Sequence, residues 1–90
     1  MLEPTPTTKF KKDLKRFKHQ PAIIRDLNKI LELLLQMEPL QKSHVDHPLE
    51  GNWKGSRECH VNSDTLLIYR MDEKLGKLFL ERFGSHSELF

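Results

Sequence analysis

Apolar residues in the first third of the chain recur with the period of a helix. Phe10, Leu14 and Phe17 are spaced by four and three residues, so they share one side of a helix that Thr7 or Thr8 can cap. Most of the residues between them are lysines. The pattern predicts a first helix that is basic on its outer side and aromatic on its inner side.

A second helix is predicted to begin at Pro21 and to end at about Met37. Proline suits a first turn, because the N–H that it lacks would have no partner there. Residues 38–56 contain prolines and glycines and predict a long irregular connection, in which Trp53 is expected to anchor the loop to the core. The apolar stripe of the second helix is wide enough to indicate packing against a sheet, and it consists of Ile23, Ile24, Leu27, Ile30, Leu31, Leu33, Leu34 and Leu35.

The second half of the chain changes to short runs rich in β-branched, leucine and aromatic residues. Runs at 57–61, 65–71 and 77–83, separated by turn-forming residues, predict three antiparallel strands in a meander. The middle run contains consecutive apolar residues from Leu66 to Tyr69. This strand is therefore expected to be covered on both faces for part of its length.

The elements combine into one predicted domain. No repeat or flexible linker interrupts residues 1–90. Residues 1–7, with Pro4 and Pro6, suit an extended segment or an edge strand, because proline cannot donate to a strand ladder. The predicted order is β-α-α-β-β-β. It indicates an α+β fold with two N-terminal helices on one face of a small, mainly antiparallel sheet.

Charge is unevenly distributed, although the net charge is only +2. Residues 9–18 hold six positive charges and one negative, whereas residues 38–90 hold seven positive and nine negative. The one cysteine, Cys59, cannot close an intrachain disulfide, which favours a reducing compartment. No run approaches the ~18 apolar residues of a membrane span, and the amino terminus does not resemble a signal peptide. We therefore expect a cytoplasmic protein with one basic surface.

Four of the five histidines lie in residues 44–90, roughly the second half of the chain, and they raise the question of a metal site. His44, His47 and His60 together with Cys59 offer nitrogen and sulfur ligands of the kind that zinc takes. The spacing argues against zinc, since strand neighbours such as Cys59 and His60 point to opposite faces. We expect no metal, and we expect Cys59 to be a small buried apolar side chain.

The same half also contains the groups that cleave an RNA phosphodiester without a metal. That reaction needs a base for the ribose 2′-hydroxyl, a cation for the charged phosphorane and an acid for the leaving 5′-oxygen. The candidates are His47, His60 or Asp64 as the base, Arg82 and Arg57 as the cations, and His86 as the acid.

Ordinary structural roles compete with these assignments. Arg57 can pair with Glu58 at the surface, and Arg82 can pair with Glu81, as such residues do on many domains. Asp64 follows Asn-Ser and has the composition of a turn. The residue types alone leave both interpretations open.

Three stretches of the chain carry a more specific pattern. Residues 46–64 read DHPLEGNWKGSRECHVNSD, residues 66–69 read LLIY, and residues 82–90 read RFGSHSELF. Together they resemble the YafQ-like branch of the RelE/ParE toxin superfamily, with its pattern DHPLxGxWKGxRxxHVxxD and a terminal G-[ST]-H-x-x-LF. The motifs lie within residues 46–90, which are half of the chain, and the predicted element order matches the whole of it.

The resemblance implies a RelE-like fold and a toxin of a type II toxin–antitoxin system. Such a toxin would be a ribosome-dependent endoribonuclease, an mRNA interferase that cleaves messenger RNA by 2′-hydroxyl attack without metal or other cofactor. By the same resemblance His86 would be the acid and Arg82 would bind the scissile phosphate. His60 or Asp64 would assist the 2′-hydroxyl, and the identity of the base stays open.

Further positions match the family pattern, with one departure. His47 matches a functional histidine of the branch, and Phe90 matches a terminal phenylalanine that would seat the substrate or the catalytic histidine. Glu58 stands where an acidic residue is usual and, like Arg57, is a candidate for substrate binding. Thr65 replaces an aromatic residue of some relatives, which would remove a stacking contact and alter the rate or preference of cleavage.

The resemblance also implies partners. These are a cognate antitoxin, messenger RNA and the ribosome with its rRNA; operator DNA would be reached only through the antitoxin, and no membrane partner is expected. A solvated basic helix attracts RNA phosphates and speeds encounter. The residues that would do so here are Lys9, Lys11, Lys12, Lys15, Arg16 and Lys18.

Two other functions fit the same fold class. One is a ParE-like toxin that poisons DNA gyrase, or an inert RNA-binding relative. The other is an interaction module stabilised by zinc. Acid–base groups gather where protons are transferred, so the joint presence of His60, Asp64, Arg82 and His86 favours cleavage over gyrase poisoning. Analysis of the purified protein for bound metal would test the zinc alternative.

Overall fold

The computed structural model describes all of residues 1–90, and the periodic segments form the helices and strands that their patterns predict. The predicted strand bounds differ from the observed ones by about one residue. In chain order the elements are β1 (Glu3–Pro6), α1 (Thr8–Lys15), α2 (Pro21–Leu35), β2 (His47–Pro48), β3 (Arg57–His60), β4 (Leu66–Asp72), β5 (Lys77–Gly84) and α3 (His86–Leu89).

The strands form one five-stranded sheet in the order β1-β5-β4-β3-β2. β1 is an edge strand parallel to β5, and every other neighbouring pair is antiparallel. The predicted α+β class and mainly antiparallel sheet are confirmed. Two elements were not predicted: β2 has only two residues and α3 only four, and segments so short display no hydrophobic period.

α1 and α2 cover one face of the sheet, as predicted. Thr7 is the N-cap of α1, its hydroxyl accepting a hydrogen bond from the Phe10 N–H at 3.1 Å. Phe17 lies beyond the end of α1, yet its ring packs against Phe83 of β5 with the ring centroids 4.9 Å apart. The main apolar core on this face consists of Leu2, Phe10, Phe17, Leu27, Ile30, Leu34, Cys59, Val61, Leu67, Tyr69, Leu78, Leu80 and Phe83.

α2 begins at Pro21 as predicted but ends at Leu35, two residues before Met37. Met37 adopts a left-handed conformation with φ of 59°. Its N–H donates to the Leu34 carbonyl, and the Glu38 N–H donates to the Leu33 carbonyl at 2.8 Å. This is the hydrogen-bond pattern of a Schellman motif, which terminates the helix before the apolar stripe runs out.

Both faces of β4 are covered, which confirms the expectation from its uninterrupted apolar run. Leu67 and Tyr69 lie in the main core under the helices. Leu66 and Ile68 lie in a second, smaller cluster with Leu89 of α3. Two residues of the long connection, Leu49 and Trp53, pack against this second cluster, so Trp53 anchors its loop as expected.

The connection at residues 38–56 is more ordered than its composition predicts. It contains two 3-10 turns, Lys42–His44 and Gly51–Trp53, in addition to β2. None of the helices combines the length and the apolar character that a bilayer crossing needs.

Candidate active site

Cross-strand pairing places His47, Glu58 and Arg82 in one row across the sheet. His47 stands opposite Glu58, Glu58 opposite Ile68, and Ile68 opposite Arg82. Residues directly opposite each other on neighbouring strands share a face. This is the face away from α1 and α2, because Ile68 belongs to the second cluster with Leu89.

A neighbouring row on the same face leads from His60 to the C-terminal helix. His60 stands opposite Leu66, and Leu66 stands opposite Gly84, the last residue of β5. α3 begins two residues later at His86. Since neighbouring strands lie about 4.8 Å apart, the backbones of His60 and Gly84 are about 10 Å apart, whereas those of His47 and Arg82 are about 14 Å apart.

His47 is held between a backbone carbonyl and a buried carboxylate. Its Nδ1 lies 2.7 Å from the Val45 carbonyl oxygen, and its Nε2 lies 3.7 Å from Oε1 of Glu58. A carbonyl only accepts, so Nδ1 carries the proton and Nε2 is the nitrogen free to take up another. A second proton on His47 would place a positive charge beside Glu58, whose side chain is 7% exposed.

His60 and Asp64 lie together at the end of the β3–β4 hairpin. His60 ends β3, and its backbone carbonyl accepts a hydrogen bond from Nδ1 of His44 at 2.7 Å. In the following turn, Oδ1 of Asn62 accepts from the N–H groups of Asp64 and Thr65 and from the Thr65 hydroxyl. Asp64 is thus an exposed residue of a tightly bonded turn, and Thr65 is buried where it cannot stack on a base.

Arg82 is bound by Asp13 of α1, and not by the neighbouring Glu81. Its Nε and Nη2 donate to the two carboxylate oxygens at 2.7 and 3.1 Å, and Oδ2 also accepts the Phe83 N–H at 3.0 Å. Burial opposes ionisation of Asp13, but these hydrogen bonds prevail and hold its pKa below the usual value. The hydrogen bond to Asp13 also raises the pKa of Arg82. Both Nη1 protons and one Nη2 proton of Arg82 are left to meet an anion.

α3 carries His86 and the terminal aromatic residue. The rings of His86 and Phe90 lie 5.0 Å apart between centroids, and the Phe90 ring is half exposed. A capping box starts the helix, because Ser85 accepts from the Glu88 N–H while the Glu88 carboxylate accepts from the Ser85 N–H at 2.8 Å. Arg16 donates to the other oxygen of Glu88 at 2.6 Å. Hydrogen bonds from Ser85, and then the Arg16 charge, lower the pKa of Glu88.

The candidate RNA-binding lysines of α1 divide between two sides of the helix. Lys9 and Lys12 line a depression of about 190 Å³ together with Asp13, Arg16 and Arg82. Lys11 and Lys15 border a separate groove of about 420 Å³ that is floored by apolar side chains, Leu14 and Ile24.

Arg57 is not brought to the histidine face. It stands opposite Tyr69, on the side of the sheet that α2 covers, and its Nε donates to Oδ1 of Asp46 at 3.1 Å. The same oxygen accepts the buried Tyr69 hydroxyl at 2.6 Å. Arg57 therefore pairs with Asp46, and not with Glu58 as its ordinary role predicted.

The candidate zinc ligands do not lie close enough together to share one metal ion. Cys59 is fully buried in the main core on the helix side, whereas His47 and His60 belong to the opposite face. Burial, and then the charges of Asp46 and Glu58, raise the pKa of the Cys59 thiol to about 12. No group of three or more His, Cys, Asp or Glu side chains is arranged to hold a metal ion.

Three carboxylates of this network were missed from the sequence. Asp13 stood out only as the one acid in a basic run, and Asp46 only as the first residue of the long motif. Glu88 had a readable signal, since Ser85-x-x-Glu88 is the spacing of a capping box. Asp13 binds Arg82 of the row directly, and Glu88 caps the helix that begins at His86.

Comparison with known proteins gives a consistent result. A family model described as "Bacterial toxin of type II toxin-antitoxin system, YafQ" matches residues 2–90. The mRNA interferase toxin YafQ of Escherichia coli K12 is 39% identical over 82 residues, which cover 90% of this chain and 87% of that protein.

Solved structures of similar proteins share the fold along the whole chain. A metal-bound toxin from Helicobacter pylori is 42% identical, with a TM-score of 0.91 and coverage of 100% of both chains. YafQ in the Escherichia coli DinJ–YafQ complex is 34% identical, with a TM-score of 0.86 and coverage of 100% of this chain and 99% of that one.

Proposed function

The chain belongs to the YafQ family of bacterial toxins of type II toxin–antitoxin systems, and from this we propose that it is an mRNA interferase that cleaves messenger RNA on the ribosome. The observation that carries the proposal is the sharing of one sheet face. His47, Glu58, His60 and Arg82 project from two adjacent rows of that face, and the helix with His86 follows directly from its last strand.

The proposed reaction is attack of the ribose 2′-oxygen on the adjacent phosphorus. A base takes the 2′-hydroxyl proton, the P–O5′ bond breaks, and the leaving 5′-oxygen receives a proton from His86. The products are a 2′,3′-cyclic phosphate and a 5′-hydroxyl. The free N–H groups of Arg82 stabilise the charge that develops on the phosphorane oxygens. The step requires neither an oxidant nor a metal, because the groups named account for every bond and proton.

We propose His60, assisted by Asp64, as the base in preference to His47. The base and the acid must flank a single phosphate, and His60 lies two strands from β5, about 10 Å away along its row. His47 lies three strands from β5, with about 14 Å between the backbones, so it starts farther from the helix that carries His86. His47, with Glu58 beside its Nε2, is better placed to bind the RNA strand away from the scissile bond.

Phe90 has a supporting role in this proposal. Its ring stacks against His86 at a centroid distance of 5.0 Å and keeps an exposed edge. It would hold the imidazole in one orientation and offer a surface for a nucleotide base. Arg57 is left out of the proposed site, because its guanidinium binds Asp46 on the other side of the sheet.

The proposed partners follow from the family and from the charge of α1. A cognate antitoxin is expected, as the complex of YafQ with DinJ in Escherichia coli suggests, and operator DNA would be bound only through it. The positive side chains of α1 would attract messenger and ribosomal RNA, which speeds encounter with the ribosome.

Substitution of single histidines tests the proposal. Toxicity in cells and message cleavage on purified ribosomes are measured for His86→Ala, His60→Ala and the matched control His19→Ala. His19 is an exposed histidine between α1 and α2 and belongs to neither row of the proposed site. We expect the first two variants to lose about 10²- to 10⁴-fold in cleavage rate. A His86→Ala protein that is still fully active would refute the assignment.

A second arm separates the alternatives. Added chelator is expected to leave cleavage unchanged, and the supercoiling activity of DNA gyrase is expected to be unaffected by the protein. Inhibition of gyrase without any message cleavage would replace the interferase proposal by a gyrase-directed one. Loss of cleavage on chelation would contradict the metal-free reaction.

A further inference from the structure

The depression beside Arg82 is lined only by charged side chains. Four of the five are cationic, namely Lys9, Lys12, Arg16 and Arg82, and the fifth is Asp13. They come from α1 with the residue that follows it, and from β5, which lies far away in the sequence. The fold therefore concentrates positive charge at a place where the linear sequence has only a basic helix.

Asp13 offsets the charge of Arg82, and Glu88 pairs with Arg16 at 2.6 Å, so the charge left unpaired in the depression is that of the two lysines. Asp13 is 2% exposed, and its two oxygens accept three hydrogen bonds, two from Arg82 and one from the Phe83 N–H. Its acceptor capacity is directed inward at β5. Lys9 and Lys12 form no ion pair, so their ammonium groups keep their charge for an incoming anion.

Arg82 connects the depression to the proposed catalytic face. Asp13 accepts hydrogen bonds from Nε and Nη2 of the guanidinium, and the other three N–H donors do not bind Asp13. The residue therefore lies at the border between the row of His47 and Glu58 and the depression on the α1 side. Lys9 and Lys12 line the depression on the α1 side of Arg82.

Helical geometry separates these two lysines from the others of α1. Lys9, Lys12 and Arg16 follow the i, i+3, i+7 spacing of one helix side, while Lys11, Lys15 and Lys18 follow the same kind of stripe on another. The second stripe borders the groove floored by Leu14 and Ile24. Lysines of the same short helix therefore lie in different surroundings: one set lines the charged depression, and the other borders the apolar groove.

We propose that the Lys9–Lys12–Arg82 depression binds one backbone phosphodiester of the RNA substrate, next to the scissile one. The inference rests on the proposed function, which it extends from the cleavage point to the path of the strand. The ligand of the depression would be a phosphodiester. The ammonium groups of Lys9 and Lys12 would bind it together with the guanidinium of Arg82, which Asp13 orients.

A matched pair of double variants tests the inference. Lys9→Gln/Lys12→Gln and Lys11→Gln/Lys15→Gln remove the same charge from the same helix. Binding of a short RNA, with 2′-deoxyribose at every position that would be cleaved, is followed by fluorescence anisotropy as a function of salt, without ribosomes. Loss of one phosphate contact lowers the slope of log K against log salt by about 0.7 for single strands. We expect that loss for Lys9→Gln/Lys12→Gln and a clearly smaller one for the control pair, whose lysines contribute only to the diffuse attraction of α1.

Each other outcome overturns the inference. Equal reductions in both pairs would show a diffuse attraction without a site, and no reduction in either would show no contact. A defect of Lys9→Gln/Lys12→Gln that appears only with ribosomes would assign the phosphate to rRNA. Because the readout is binding, it is independent of cleavage: a protein that binds as expected but never cleaves RNA would remove the proposed function and leave the phosphate site.

Discussion

Asp13 and Arg82, 69 residues apart, form a bidentate ion pair with N···O distances of 2.7 and 3.1 Å. β1 pairs with β5 only as far as Leu80, and beyond that point the edge of β5 has no partner strand. Asp13 accepts the Phe83 N–H there, so one carboxylate completes the sheet edge and orients the arginine.

Replacement of Asp13 by Asn is expected to weaken both the closure of the sheet edge and the orientation of Arg82. The amide oxygen can take the place of Oδ2 and still accept from the Phe83 N–H and from Arg82 Nε, but the bond from Nη2 and the negative charge are lost. A hydrogen bond to a charged group contributes about 1.5–3 kcal/mol. We expect urea unfolding to show a loss of about 2 kcal/mol in the free energy of unfolding. Asp26→Asn in α2, a half-exposed carboxylate without an ion pair, is the control and should change stability little. Equal losses in both variants would contradict the role of the pair.

The pKa of Asp13 predicts how stability depends on pH. Its pKa in the folded protein lies below the unfolded value of about 3.9. A depressed pKa contributes stability above the unfolded pKa, and this contribution is lost as the pH falls through the folded value. We therefore expect the free energy of unfolding to decline below about pH 4, and less steeply in Asp13→Asn. Parallel pH profiles for the two proteins would show that another carboxylate dominates.

The capping box of α3 is expected to control activity more than stability. Ser85→Ala removes the acceptor for the Glu88 N–H, and loss of such a cap typically costs about 1 kcal/mol. Because α3 has only four residues, its loosening should release His86 and the ring of Phe90. Hydrogen exchange of the Leu89 and Phe90 amides is expected to accelerate, and message cleavage to fall by more than the stability loss explains.

Glu88→Gln separates capping from the ion pair with Arg16. The amide oxygen can still accept the Ser85 N–H, but the charge that meets Arg16 is gone. Arg16 and Glu88 are both partly exposed, so the global stability should change little. Protection of the α3 amides in this variant should resemble that of the unsubstituted protein. Fraying as strong as in Ser85→Ala would show that the ion pair, and not the cap, holds the helix.

Tyr69→Phe tests the buried hydrogen bond on the helix side of the sheet. The Tyr69 hydroxyl donates to Asp46, and burial followed by this bond raises its pKa above the ordinary value. Removal of the hydroxyl should lower the free energy of unfolding by about 1–2 kcal/mol, because a hydrogen bond to a charged acceptor is lost. Cleavage activity should be retained, since Asp46 and Arg57 lie away from the histidine face. A large loss of activity in a stable variant would show that the helix side of the sheet takes part in the active site.

Cys59 is expected to be unreactive in the folded protein. Its side chain is fully buried, and a pKa of about 12 leaves almost no thiolate at neutral pH. An aromatic disulfide reagent should label it only at the rate of unfolding, and labelling should become fast in urea. Rapid labelling under native conditions would mean that the core around β3 opens locally.

The helices and strands could be predicted from the chain because each buries a continuous stripe. Phe10 and Phe17 at helical spacing, and the run from Leu66 to Tyr69, read directly as buried surfaces, and the family was recognisable from its motif residues. The end of α2 was less predictable, because the left-handed Met37 interrupts a stripe that is still apolar. β2 and α3 were missed because two and four residues are too few to display a period.

The chemical inventory of the site was already present in the sequence: three histidines, an aspartate and an arginine of the types that move protons and stabilise a phosphate. The alternation of strand residues also separated Cys59 from His60 before any coordinates. Only the tertiary structure decided which groups share a face, because register across β2 to β5 sets His47, Glu58 and Arg82 in one row and sends Arg57 to the other side. It also decided the partners of the charges: Asp13 reaches Arg82 across 69 positions, a contact that no local pattern encodes, since it depends on how the first helix crosses the edge of the last strand.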